Sequence, residues 1–204
     1  QSSIMLANIA TKGAETQRYA ILTNGGVDAC AEVLQALRVR YNIAKENRDY
    51  KTQARTVDAI AAALDGLTAL MSRKENVQFL EQSNALQTTL DAVNGLASEH
   101  PAIQDSLLDM ILKALEHFDE LSPDTLQKML EALLEIIRSG KVPADPETAH
   151  KLAQAMCMLA IDEDAERAIV EAGGVDYLLK MLELHKNDPN VVKQILQALE
   201  LALQ

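Results

Sequence analysis

Residues 169–182 read Ile169-Val-Glu-Ala-Gly-Gly-Val-Asp-Tyr-Leu-Leu-Lys-Met-Leu182, and residues 21–34 read Ile21-Leu-Thr-Asn-Gly-Gly-Val-Asp-Ala-Cys-Ala-Glu-Val-Leu34. Each phrase closes one apolar-periodic helix, turns on Gly-Gly and opens another. Glycine adopts the left-handed backbone that ends a helix at little steric cost. A helix–turn–helix phrase that returns at long range marks stacked repeats, in which each unit buries its apolar face against a neighbour. Such arrays present extended surfaces, so the phrase implies binding rather than catalysis.

Outward from these turns, breakers and caps place the remaining helices. Val27 to about Leu37 carries Val27, Cys30, Leu34 and Leu37 on one face, and Val57–Met71 carries Ile60, Leu64, Leu67 and Met71. Between them, residues 38–55 turn polar and basic. A short helix over Glu75–Gln82 stops at Ser83-Asn84, and Ala85–Leu96 follows. His100-Pro101, Ser122-Pro123, Asp145-Pro146 and Asp188-Pro189 each open a helix, because proline at the first position lacks an amide that would go unpaired there. The helix after Pro101 is read with Ile103, Leu107, Ile111, Leu115 and Phe118 on its inner stripe. All five prolines fall between helical patterns and no alternating β pattern appears, so the fold class is all-α.

Composition agrees with close helix packing. Hydrophobic residues are 48% and aromatics only 3%, so the core is aliphatic. The net charge of −11 lies mostly in the second half: residues 101–150 sum to −6 and 151–204 to −4, whereas 1–50 sum to +1. An acidic body excludes nucleic acid as the expected partner, since phosphates require a basic face. Cys30 and Cys157 lack CxxC neighbours and metal-spaced histidines, so free buried thiols in a reducing, cytoplasmic setting are expected, with no metal and no cofactor. No apolar run reaches the ~20 residues that span a bilayer. Helical pattern at both ends, Ser3–Ala10 and the last residues before Gln204, leads us to expect a piece of a longer protein or a member of a larger complex.

The order of short helix, glycine turn, medium helix and long helix resembles the armadillo repeat. The third-helix phrase of that family is matched by Met5-Leu-Ala-Asn-Ile-Ala10, Ala63-Leu-Asp-Gly-Leu-Thr68, Ala155-Met-Cys-Met-Leu-Ala160 and Ala198-Leu-Glu-Leu-Ala-Leu203. The resemblance implies a right-handed α-solenoid of armadillo/HEAT-like three-helix repeats over 1–204. Residues 1–13 would end a preceding repeat. Residues 14–72 would form a repeat with a basic insertion at 38–55, followed by repeats at 73–119, 120–161 and 162–204. The 120–161 repeat is degenerate and lacks its short first helix.

The same resemblance implies that third helices line a groove, with Asn8, Gly66, His117, Met158 and Leu201 at the ladder position that clamps a peptide backbone. Only Asn8 keeps an amide there and the chain has no Trp, so a helix or folded surface suits this groove better than an extended basic peptide. The other candidate is the basic segment: Arg38, Arg40, Tyr41, Lys45, Arg48, Tyr50, Lys51 and Arg55, opposed only by Glu46 and Asp49. Arg with Tyr is a composition favoured at interface hot spots. It would hold an acidic protein segment, a tubulin-like acidic tail or an anionic membrane surface. The alternative is an extended helix or solvated loop paired with the protein's own acidic half. No catalytic constellation or phosphate loop is present, so the expected function is a non-enzymatic protein–protein interaction scaffold. The alternatives are a structural component of a ciliary, cytoskeletal or membrane-tethered assembly, and a chaperone-like solenoid that holds a client.

Overall fold

A computed structural model describes residues 26–160 and 163–202. All regular structure among them is helical. The helices are α1 Gly26–Glu46, α2 Tyr50–Leu70, α3 Lys74–Gln82, α4 Ala85–Val93, α5 Pro101–Leu115, α6 Pro123–Arg138, α7 Pro146–Leu159, α8 Glu163–Glu171, α9 Gly174–Leu184 and α10 Pro189–Ala202, with a 3-10 turn at Phe118–Glu120. The four Pro-led helices start where the sequence places them. Ser122, Asp145 and Asp188 accept from the amides of Thr125, Thr148 and Val191 at 3.2, 2.9 and 3.2 Å, which satisfies donors that helix geometry leaves unpaired.

Residues 1–128 and 129–204 form two compact units, the division falling within α6. In the first, α1 packs on α2 and α4, α2 packs on α5, and α3 packs on α4 and the 3-10 turn. Leu34, Leu64, Leu80, Leu86, Ile103 and Leu107 are buried at its centre, each contributing about 1.5–3 kcal/mol of transfer free energy. In the second, α10 packs along α7, α9 packs on α10, and α8 packs on both α9 and α10. Its centre holds Leu152, Met156, Ile169, Leu178, Met181 and Ile195.

The blocks α3–α4–α5 and α8–α9–α10 follow one plan. Their helices are 9, 9 and 15 residues and 9, 11 and 14 residues long. Lys74 and Glu163, which open them, are 163 − 74 = 89 residues apart, as are the turn residues Asn84 and Gly173. Even the turn bonds coincide at that offset. Asn84 N donates to Glu81 O and Gly173 N to Val170 O, both at 2.9 Å, while Thr88 N→Asn84 O and Tyr177 N→Gly173 O are both 3.0 Å. The stretch without an expected first helix, just before α6, holds the 3-10 turn instead.

Residues 38–55 take the extended-helix form: α1 continues to Glu46, and α2 begins at Tyr50 after a three-residue turn. Phe118 does not join the inner stripe of α5; it lies in the 3-10 turn and is exposed. The first Gly-Gly phrase up to Gly25 and the reading of residues 1–13 lie outside the described residues.

Candidate interaction surface

The α1–α2 hairpin is set by its three-residue turn. Asn47 N bonds Ile43 O, Arg48 N bonds Lys45 O at 3.2 Å and Asp49 N bonds Ala44 O at 2.9 Å. With Arg48 at φ 55, this is a Schellman closure with an arginine in the left-handed position. Asp49 then caps α2, accepting from Thr52 N at 3.0 Å and Thr52 Oγ1 at 2.6 Å. Those bonds hold its carboxyl below the usual range.

The eight basic and aromatic candidates divide into two groups. Three are committed internally. Tyr41 is buried, which removes it from any binding surface. Its hydroxyl lies 3.2 Å from Glu99 Oε2 and 2.6 Å from His100 Nε2, and the Tyr41 and His100 rings meet edge to face at 5.2 Å. Burial first, and then the Glu99 carboxylate, push its phenol upward. Lys45 donates to both Glu99 oxygens at 2.8 and 2.9 Å. Its hydrogen bond raises the lysine and lowers the glutamate. Arg38 donates to the Asn94 carbonyl. Together the three tie α1 to the connection between α4 and α5.

The other five, Arg40, Arg48, Tyr50, Lys51 and Arg55, are all exposed. Tyr50 is 74% exposed. Arg40, Arg48 and Arg55 form no ion pair among the described residues. Beside them a cleft of about 360 Å³ runs between α1 and α2, lined by Ala36, Val39, Ile43 and Ala44 with Arg40, Asn47, Asp49 and Thr52. Sequence reading missed Val39 and Ile43, whose three-to-four-residue spacing on a helix was the available signal.

Four of the five groove candidates lie among the described residues. Asn8 lies outside the described residues. Gly66 is buried in α2. His117 is on no helix; it precedes the 3-10 turn. Met158 and Leu201 lie on α7 and α10 and are half-buried. Leu201 lines a hollow of about 10 Å³ with Met156 and Ile169, too narrow for a ligand.

Two wider clefts follow the long helices. One of about 430 Å³ lies between α2 and α5, lined by Asp65, Thr68, Asp109, Lys113 and Glu116 among others. Another of about 620 Å³ lies at the starts of α7 and α10, where Asp145, Glu147, His150, Asp188 and Lys193 meet. Among the described residues no three His, Cys, Asp or Glu side chains gather closely enough to hold a metal ion. Cys30 and Cys157 are free and half-buried, and burial pushes both thiols up. No helix of the described residues is long and apolar enough to cross a membrane. No family model, curated protein or solved structure matches this chain.

Proposed function

We propose that this chain is an armadillo-type right-handed α-solenoid acting as a non-enzymatic protein-interaction scaffold, and that the free end of the α1–α2 hairpin receives an acidic segment of a protein partner. The 89-residue offset between the two three-helix blocks supports the fold reading, because it equals two repeats of about 44 residues, within the ~40–47 typical of such arrays. The lateral pairing of α1 with α4, α2 with α5 and α7 with α10 is the pairing that stacking requires.

The observation that carries the binding reading is Tyr50, 74% exposed between Arg48 and Lys51, in a hairpin that also exposes Arg40 and Arg55. An aromatic anchor among cations matches the residue types that dominate interface energies. The cations left without carboxylate partners favour an acidic ligand and speed its encounter.

The test is affinity capture with the wild-type chain and with a variant carrying Arg40→Glu, Arg48→Glu, Lys51→Glu and Arg55→Glu. The reading predicts that the captured partner is lost and that Tyr50→Ser alone weakens capture. It also predicts that the wild-type interaction declines steeply with salt. Capture that survives the reversal would remove this surface from the account.

A further inference from the structure

We infer that the outer side of α9 and α10 docks an amphipathic helix of a partner protein, in the place that the start of α6 takes on α3 and α4. The inference starts from matched positions in the two three-helix blocks. In α4 and α9 these are 174 − 85 = 89 residues apart, and in α5 and α10 they are 189 − 101 = 88 apart. Ala92 and Met181, Ile103 and Val191, and Leu107 and Ile195 are matched pairs buried in both blocks. One group departs together. Leu90 is 3% exposed but its match Leu179 is 49%, and Leu108 is 0% exposed but its match Leu196 is 51%. Leu86 and Val93 are buried, whereas their matches Val175 and Leu182 are half-buried.

These residues share one side of their helices. Tyr177 of α9 donates to the Lys141 carbonyl at 2.5 Å, and Gln194 of α10 reaches Cys157 of α7 at 3.5 Å. Those bonds mark the sides turned toward preceding elements. Leu179 and Leu196 each follow by two residues and so lie about 160° around the helix from them. A solvated helix carries polar residues on that side. Here it is apolar, and the matched side in the first block is buried.

The first block also shows what kind of element lies there. Thr125, fully buried in the first turn of α6, donates to Glu81 at 2.9 Å and accepts from Gln87 at 3.2 Å, and Lys128 pairs with Asp91. The start of α6 therefore runs along the side of α4 that borders Leu90. At the matched positions the second block carries Val170 for Glu81, Asp176 for Gln87 and Lys180 for Asp91, all exposed. The site keeps its place in the block while its chemistry changes. Where Thr125 stands, the occupant needs a lysine whose stem covers Val170 and whose ammonium meets Asp176. Where Lys128 stands, it needs a glutamate for Lys180. The α6 of a second copy would set lysine against lysine, so charge points to a partner helix with the opposite pattern.

The probes are two labelled peptides with the sequence of residues 121–138. Both carry Thr125→Lys, and one also carries Lys128→Glu. Fluorescence anisotropy reads their binding to the whole chain. The inference predicts that the chain binds the peptide with Lys128→Glu about fivefold more tightly, the scale of an exposed ion pair. Lys180→Glu in the chain reverses that preference, and Leu179→Glu with Leu196→Glu abolishes binding of both peptides. Circular dichroism checks folding, and Thr replaces Glu at both leucines if the Glu variant loses helix. No binding of either peptide, equal affinity for the two, no reversal by Lys180→Glu, or binding retained without the leucines overturns the inference. So does a wild-type mass in sedimentation velocity that rises with concentration and returns to monomer in the leucine variant, which would give this side to a second copy.

Discussion

The α3–α4 and α8–α9 turns solve one geometric problem with different residues. Both place a left-handed residue just before the second helix, Asn84 at φ 56 and Gly173 at φ 90. Both close on the same backbone bonds. Asparagine tolerates this region better than most residues, so the repeat requires the conformation rather than glycine itself. The next position differs more sharply. Ala85 fits buried in the first turn. At Gly174, a Cβ would lie 2.6 Å from Ile169 Cγ2 and 2.7 Å from Ile169 O. The aligned residue in the first turn is Leu80, which has no branch at Cβ. The two turns teach that the second glycine answers to the residue five before it.

The largest effect should come from forcing the second turn to resemble the first. Gly174→Ala is expected to destabilise the α8–α9 region by about 1–3 kcal/mol through overpacking. Ile169→Leu should restore only part of that, since the carbonyl still obstructs. Faster hydrogen exchange in α8 and α9 reads the loss. Next, Gly173→Ala should cost roughly 1–2 kcal/mol because an ordinary side chain resists this backbone, and Gly173→Asn should cost less. Equal costs for Ala and Asn would break the comparison.

A third left-handed residue, Arg48, extends it. Arg48→Gly should stabilise the α1–α2 turn by up to about 1 kcal/mol, measured by urea unfolding, while removing one cation from the candidate surface. The smallest effect concerns pH. Lys45 holds the Glu99 carboxyl below its ordinary value. A depressed acid contributes stability above its unfolded-state pKa and loses it as pH falls through the folded one. Exchange from the last turns of α1 should therefore accelerate slightly on acidification, by well under 1 kcal/mol because the pair is largely exposed. Lys45→Met should abolish that difference.

Much of the fold was legible because its signals are local. Pro101, Pro123, Pro146 and Pro189 gave helix starts, and Gly173-Gly174 gave a turn. The α1 extension was legible only as an alternative. Past Leu37 the helix buries only Tyr41 and Ala44, too thin a stripe to stand out among arginines. Tyr41 is inside because Glu99 and His100, 58 and 59 residues away, receive its hydroxyl, and no local pattern announces that. The Asp49–Thr52 cap was a readable start signal within the basic run. The turn at Ser83-Asn84 was legible without glycine, because asparagine tolerates the left-handed backbone that Asn84 adopts. The candidate surface was half legible: exposed arginines could be found by composition, but which ones have internal partners depends on tertiary contacts.

The central claim is that a partner docks on the free end of the α1–α2 hairpin, and cross-linking mass spectrometry of the captured complex tests it most directly. Lys51 is exposed beside Tyr50, whereas Lys113, Lys128 and Lys186 lie elsewhere on the chain, each in its own ion pair. The account predicts partner cross-links concentrated at Lys51 and lost when Arg40, Arg48 and Arg55 become Glu with Lys51 kept. Cross-links spread over Lys113, Lys128 and Lys186, with Lys51 unmodified and reversal without effect, would contradict it.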